Sequence, residues 1–181
     1  KDDKTFSGII PYYITQIYFG LEKYNELINY AVPILDNIIA SREEEVNRLV
    51  SESYFNLSDY ENAEIYFKRY LEISETNKIE DYFQMGQINI FLEDYEEAIS
   101  FLEKVENAED SLSQFTSYYL GKSYLKVGKK SFALNAFKNA ADINFNLTLK
   151  EESLYNYFKL SYELDLPYTN LSYVMNEFDE Y

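Results

Sequence analysis

Along most of the chain, apolar residues recur at three- and four-residue steps, the spacing that gathers side chains on one face of a helix. Val46, Leu49, Val50 and Tyr54 form one stripe, and Ala63, Tyr66, Phe67, Tyr70 and Leu71 form the next. Between them, Leu57-Ser58-Asp59-Tyr60 interrupts the pattern. Ser58 and Glu61 there have the spacing of a capping box, in which hydroxyl and carboxylate each satisfy an orphan amide. The same spacing at Ser41 and Glu44, Asn77 and Glu80, Ser111 and Gln114, and Thr148 and Glu151 announces the first helix of each pair. The pattern predicts helices joined in pairs by short turns.

The pairs repeat. Ala63, Ala98 and Ala133 are separated by 35 residues each time, and Ser51, Gly86 and Gly121 keep the same interval. So do Tyr54, Asn89 and Tyr124, and Phe67, Leu102 and Phe137. Small residues recur where two helices must approach and bulky ones where space must be filled, so the period is a packing code. An isolated hairpin cannot bury its apolar face, and stability accumulates through neighbours.

These columns resemble the tetratricopeptide repeat family, whose pattern is W-x2-L-G-x2-Y, then A-x3-F, then P. Ser117, Leu120, Gly121, Tyr124, Ala133 and Phe137 fill the successive places, with the Trp replaced. Asn47, Val50, Ser51, Tyr54, Ala63 and Phe67 do so one unit earlier. Tyr82, Met85, Gly86, Asn89, Ala98 and Leu102 make the unit between. The match continues outward through Ile14, Thr15, Tyr18, Leu27 and Ala31 upstream, and Phe158, Lys159, Tyr162, Leu171 and Met175 downstream. The resemblance implies an all-α, right-handed alpha-alpha superhelix of about five helix-turn-helix repeats. They fall near residues 8–43, 44–78, 79–113, 114–151 and 152–181 of one solenoid domain. Two departures stand out. Pro33 falls inside the second helix of the first unit, where it should kink it, and extra residues near Asn144 to Leu149 predict a longer loop. An apolar face at Leu171, Val174, Met175 and Phe178 reads as uncapped, suggesting a fragment of a longer array with self-association through that end.

Composition removes most chemistry. His, Cys and Trp are absent, so imidazole bases, thiol nucleophiles, Cys/His zinc sites and disulfides are all unavailable. No cofactor, metal ligand set or catalytic group is assigned, and the expectation is a non-enzyme. Sixteen Lys and Arg against 32 Asp and Glu give a net charge of −16, which opposes contact with phosphate backbones. Nucleic acid is not an expected partner. The longest uncharged stretch, Phe6 to Leu21, is shorter than the ~20 apolar residues of a membrane span and reads as a buried helix. The acidic clusters Glu43-Glu44-Glu45 and Glu93 to Glu97 read as solvated helix starts, where negative charge complements the macrodipole. The Tyr118-x3-Lys122 pair lacks the Gly-rich loop of a nucleotide site and reads as chance.

What remains is recognition. The resemblance implies a concave face lined by the first helices of the units, with an extended peptide of a protein partner bound there. Counting from the packing columns, that face comprises Tyr12, Gln16 and Phe19; Arg48, Glu52 and Asn56; Phe83, Gln87 and Phe91; Tyr118, Lys122 and Lys126; and Asn156. Aromatics and Arg are frequent interface anchors. Arg48, Lys122 and Lys126 offer positive sites for an acidic segment, unless neighbouring acids pair with them. Two other readings stay open: a carbohydrate or cell-wall ligand stacked on the groove aromatics, and a sensory or dimerisation module of a larger signalling protein. The Tyr- and Asn-rich composition and the stretch Lys159 to Leu164 also resemble envelope arrays of Bacteroidetes, which suggests a periplasmic or cell-envelope location, with the cytoplasm as the alternative.

Overall fold

The computed structural model describes residues 9–38, 40–105, 108 and 110–166. Among them there are nine α-helices, one 3-10 helix and no strand. The chain folds as two compact units, residues 1–81 and 82–181.

In the first unit, α1 (Ile10–Gly20) turns into α2 (Tyr24–Ala31), and α3 (Ala40–Asn56) turns into α4 (Tyr60–Ile73). Leu27, Ala31, Leu35, Ile38, Val46, Leu49 and Val50 form the buried core. Pro33 does more than kink its helix. It sits in the first turn of a 3-10 segment, Val32–Asn37, that follows α2 directly, because its ring clashes with the carbonyl four residues back and it has no N–H to donate. In the second unit most of α5 (Ile79–Phe91) is followed by α6 (Tyr95–Leu102), α7 (Asp110–Lys126), α8 (Lys130–Ala141) and α9 (Leu147–Glu163). Its core centres on Ala133, Phe137, Ala140, Tyr157 and Leu160.

The small-residue column does what its spacing requires, in two chemical ways. Ser51 donates its hydroxyl to the Ala63 carbonyl at 2.7 Å, stitching α3 to α4. A methyl placed at Gly86 would lie 2.6 Å from the Leu102 side chain, and one at Gly121 would lie 2.8 Å from the Phe137 ring. Phe67, Leu102 and Phe137 are themselves fully buried. In these two hairpins the second helix therefore lays a fully buried leucine or phenylalanine against the thinnest point of the first.

A second period is visible only in the backbone. Glu22, Ser58, Glu93, Gly128 and Asp165 take positive φ, at 56°, 62°, 60°, 76° and 50°. Each closes a first helix through the same long-range bond: the next residue's amide reaches back to the carbonyl of Tyr18, Tyr54, Asn89, Tyr124 or Ser161, at 2.8–3.1 Å. This is the Schellman arrangement, which needs one left-handed residue. It also moves the caps. Because Ser58 is used as the left-handed residue, Asp59 caps α4 instead, accepting from the Asn62 amide at 3.2 Å. Asp94 caps α6 in the same way, and Asn146, not Thr148, caps α9. Ser41 and Ser111 lie inside their helices.

Gln114 likewise has a different task. Fully buried, its side-chain amide donates to the carbonyls of Ala140, Ile143 and Asn146 and accepts from the Asn146 amide at 2.7 Å. It holds together the link from α8 to α9, residues 142–146, which is no longer than the link at 74–78. Leu171, Val174, Met175 and Phe178, the basis of the uncapped end, lie outside the described residues.

Two substitutions separate packing from backbone strain. Gly121→Ala should lower the unfolding free energy by about 1–3 kcal/mol, because the new methyl would lie 2.8 Å from the Phe137 ring and force it to shift. A methyl at Gly128 meets nothing within 4 Å, so Gly128→Ala pays only for its left-handed backbone, about 1–2 kcal/mol. Glu93→Gly, at a left-handed position, should not destabilise. Urea unfolding followed by circular dichroism checks all three.

Candidate interaction groove

The residues assigned to the inner face meet different fates. In the first unit they are largely committed to one another. The Gln16 amide donates to the Tyr12 hydroxyl at 2.7 Å, and the Arg42 guanidinium lies 4.7 Å above the Tyr12 ring. Phe19 packs edge-on to Tyr24. Asn56 turns back to the Glu52 carbonyl at 2.7 Å.

Arg48 is not a free positive site. Its guanidinium is bound by Glu45 at 2.8 Å and by Glu52, one turn to either side on α3. Burial alone would lower its pKa, but the hydrogen bond to Glu45 and the charges of Glu52 and Glu45 outweigh it and raise the pKa. Burial raises the Glu52 carboxyl, against the pull of Arg48. The three side chains form a closed cluster on one helix face, with no charge left over for a partner carboxylate. The neighbouring acids are partnered as well, contrary to the reading of Glu43-Glu44-Glu45 as a solvated helix start. Glu43 accepts from Arg69 at 3.1 Å, and Glu44 accepts from Ser74 at 2.8 Å. All three are only partly exposed.

In the second unit, Phe83 and Gln87 are half-buried on α5, with Phe83 6.1 Å from the Tyr119 ring, and Phe91 is exposed. Further along, four of the assigned residues come together. Tyr118, Lys122 and Lys126 rise along one face of α7 and Asn156 faces them from α9, around a cavity of about 250 Å³ that also touches Leu125 and Phe137. Both lysine side chains are exposed, and among the described residues neither is in an ion pair. Lys122 lies 5.3 Å above the Tyr118 ring and Lys126 lies 5.4 Å above the Tyr95 ring. Such contacts orient a cation without cancelling its charge.

Tyr118 is the wall of this cavity more than a contact for a ligand. It is buried, edge-on to Phe137, and its hydroxyl donates to Glu152. Sequence reasoning counted Phe137 only as a packing column and did not mark Leu125. Leu125 lies three residues after Lys122 and seven after Tyr118, so helical spacing already placed it on the same face.

The hydroxyl of Tyr118 belongs to a set. Tyr70 donates to Asp81 at 3.0 Å, and Tyr124 donates to Glu103. In all three, burial first, and then the hydrogen bond and charge of the carboxylate, push the phenol pKa up from its ordinary 10.0, to about 12 for Tyr70 and further for the other two. No cluster able to hold a metal ion occurs among the described residues, and none of their helices is long and apolar enough to cross a membrane.

The sequence model of the family described as anaphase-promoting complex, cyclosome, subunit 3 matches residues 56–140, somewhat less than half of the chain. Among solved structures, MamA from AMB-1 superimposes with a TM-score of 0.74 at 15% identity, over 96% of this chain and 92% of that one. MamA, residues 41 to the end, from Desulfovibrio magneticus RS-1 gives 0.66 at 19% identity, over 94% and 90%. A putative kinesin light chain of Podosopora anserina with nearly identical TPR-like repeats gives 0.62 at 9% identity, over 92% and 90%. No curated protein sequence matches the chain. The helical architecture and these likenesses together define the fold: an all-α superhelical repeat fold like that of the solved structures with TPR-like repeats.

The raised phenols make a prediction with a definite sign. A proton held more tightly in the folded state stabilises that state below pH 10, and the gain is lost as pH rises through the folded values. Unfolding free energy should therefore fall between pH 9 and 12. In the Tyr70→Phe, Tyr118→Phe, Tyr124→Phe triple variant the fall should be shallower, as measured by urea titration at each pH.

Proposed function

We propose that the chain is a non-enzymatic protein-interaction module, and that the α7–α9 face of its second unit receives an extended partner segment with an acidic side chain between Lys122 and Lys126. The observation that carries this reading is the cavity itself, where two lysines of α7, in no ion pair among the described residues, and an amide of α9 converge over an apolar floor. Its size favours a side chain. About 250 Å³ falls below the ~300–1,000 Å³ of small-molecule sites, and a peptide needs only to insert one or two residues. The charge also favours an acidic guest. In a chain of net charge −16, an acidic segment is repelled from most of the surface, so two unpaired lysines set both register and specificity.

The aromatics weigh against a stacked carbohydrate in the same place. Tyr118, the aromatic that borders the cavity with Phe137, is buried and presents little ring face to a sugar.

A displayed peptide library selected against the wild type should enrich acidic residues flanked by apolar ones. Selection against Lys122→Glu, Lys126→Glu should lose that motif, whereas selection against Arg48→Glu should keep it, because Arg48 is already neutralised by Glu45 and Glu52. A motif that persists in the double lysine variant, or that disappears only with Arg48→Glu, overturns the assignment of the site.

A further inference from the structure

The left-handed turns give every first helix a common register. Counting seven residues back from the turn residue reaches Thr15, Ser51, Gly86 and Gly121, the close-packed column, and on α9 it reaches Phe158. Counting six back reaches Gln16, Glu52, Gln87 and Lys122 of the inner face, and on α9 it reaches Lys159. Lys159 therefore continues the inner column. Asn156 stands at the place of Tyr119, on the side of its helix that meets the first helix before it, as Tyr119 meets Phe83. The inner column is not a seam between repeats, since Lys122 stays exposed with α8 and α9 both in place. Lys159 is likewise exposed and, among the described residues, in no ion pair. Glu163, which takes the place of Lys126 on α9, is held by Lys130 at 2.8 Å, and Glu152 accepts from the Tyr118 hydroxyl. The α7–α8 hairpin adds no acid of its own: from Ser111 to Ala141 the chain has five lysines and no Asp or Glu. Lys122, Lys126 and Lys159 thus form a positive strip from α7 onto α9 in a chain of net charge −16.

We infer that this strip reads an acidic segment in the polyproline II conformation, with one acid between Lys122 and Lys126 and a second, three residues away, at Lys159. The second contact rests on the peptide reading of the cavity and adds to it a spacing and a conformation. The distance between repeats selects both. Packed helices lie about 8–10 Å apart, so places of one register on α7 and α9 are separated by about that much. A segment crossing them as a β-strand turns side chains to the same side every ~6.6–6.8 Å, and one crossing as a helix does so every ~4.5–6 Å. A polyproline II segment presents every third residue on one side, ~9.3 Å apart along its axis. Only that step carries an acid from the cavity to Lys159 without leaving the face of the groove.

The test is fluorescence anisotropy of labelled peptides of Ala, Ser and Leu, titrated with the intact chain. One peptide carries two Glu with two Pro between them, a second has the two Glu adjacent, and a third keeps a single Glu. The Pro-spaced peptide should bind most tightly. Lys159→Ala should weaken its binding about two- to fivefold, the range of an exposed ion pair, and should leave the single-Glu peptide unchanged. Because the Lys159 side chain is exposed, the helical circular dichroism of the variant should match the wild type. Equal losses for the Pro-spaced and single-Glu peptides would make Lys159 a structural residue, and tighter binding of the adjacent isomer would remove the spacing; either result overturns the inference. The two readings fail differently. If Lys122→Glu, Lys126→Glu abolishes binding of all three peptides while Lys159→Ala alters none, the second contact falls and the cavity stands. If no peptide binds, or the double lysine variant changes nothing, both fall.

Discussion

The fold depends on the close approach of two helices at one small residue per hairpin. Gly86 and Gly121 leave room against which Leu102 and Phe137 are packed without exposure, and Ser51 holds the same place beside Ala63. Where the small residue has a hydroxyl, it bonds to the facing backbone; where it has no side chain, a leucine or a ring fills the gap. Two chemistries satisfy one distance, which is why the column tolerates both residue types but leaves no room for a larger one. Everything on the inner face is positioned from there, since the direction of α7 fixes where Tyr118, Lys122 and Lys126 emerge.

The packing columns were legible because they obey a constant spacing, and burial leaves few residue types able to fill them. The helix starts were less legible for a physical reason. Ser58-Asp59 offers two capping side chains in succession, and the sequence spacing favours the first. Only the backbone reveals that the turn spends a residue in a left-handed conformation, which transfers capping to Asp59. Glu93 and Asp94 behave alike, and Glu at the left-handed place carries no compositional warning of the kind glycine gives at Gly128.

The inner face divides along a similar line. Counting assigned Lys122, Lys126 and Asn156 to one face of the fold; that they line one cavity is read from the packing of α7 and α9. That Arg48 is consumed by Glu45 and Glu52 was also written in the chain, as acids three residues before it and four after. Spacing alone did not decide between a free and a paired guanidinium; the burial of that face does. Gln114 lies beyond this kind of reading. Its partners at Ala140, Ile143 and Asn146 are remote in sequence, and no local signal distinguishes a loop-binding amide from a capping one.

The tyrosine-carboxylate pairs have a consequence for how this protein carries its acidity. An acid held in an ion pair has its charge cancelled by a cation, and each such pair subtracts one unit from the field that the molecule projects. Asp81, Glu103 and Glu152 are held by phenols, which donate a hydrogen bond and contribute no positive charge. The architecture thus ties negative charge into its framework without compensation. Neutralising the surface to improve crystallisation or to relieve colloidal repulsion should spare these three acids, the buried Asp81 and the exposed Glu103 and Glu152, since their amide replacements would exchange a charge-assisted bond to a phenol for a weaker one.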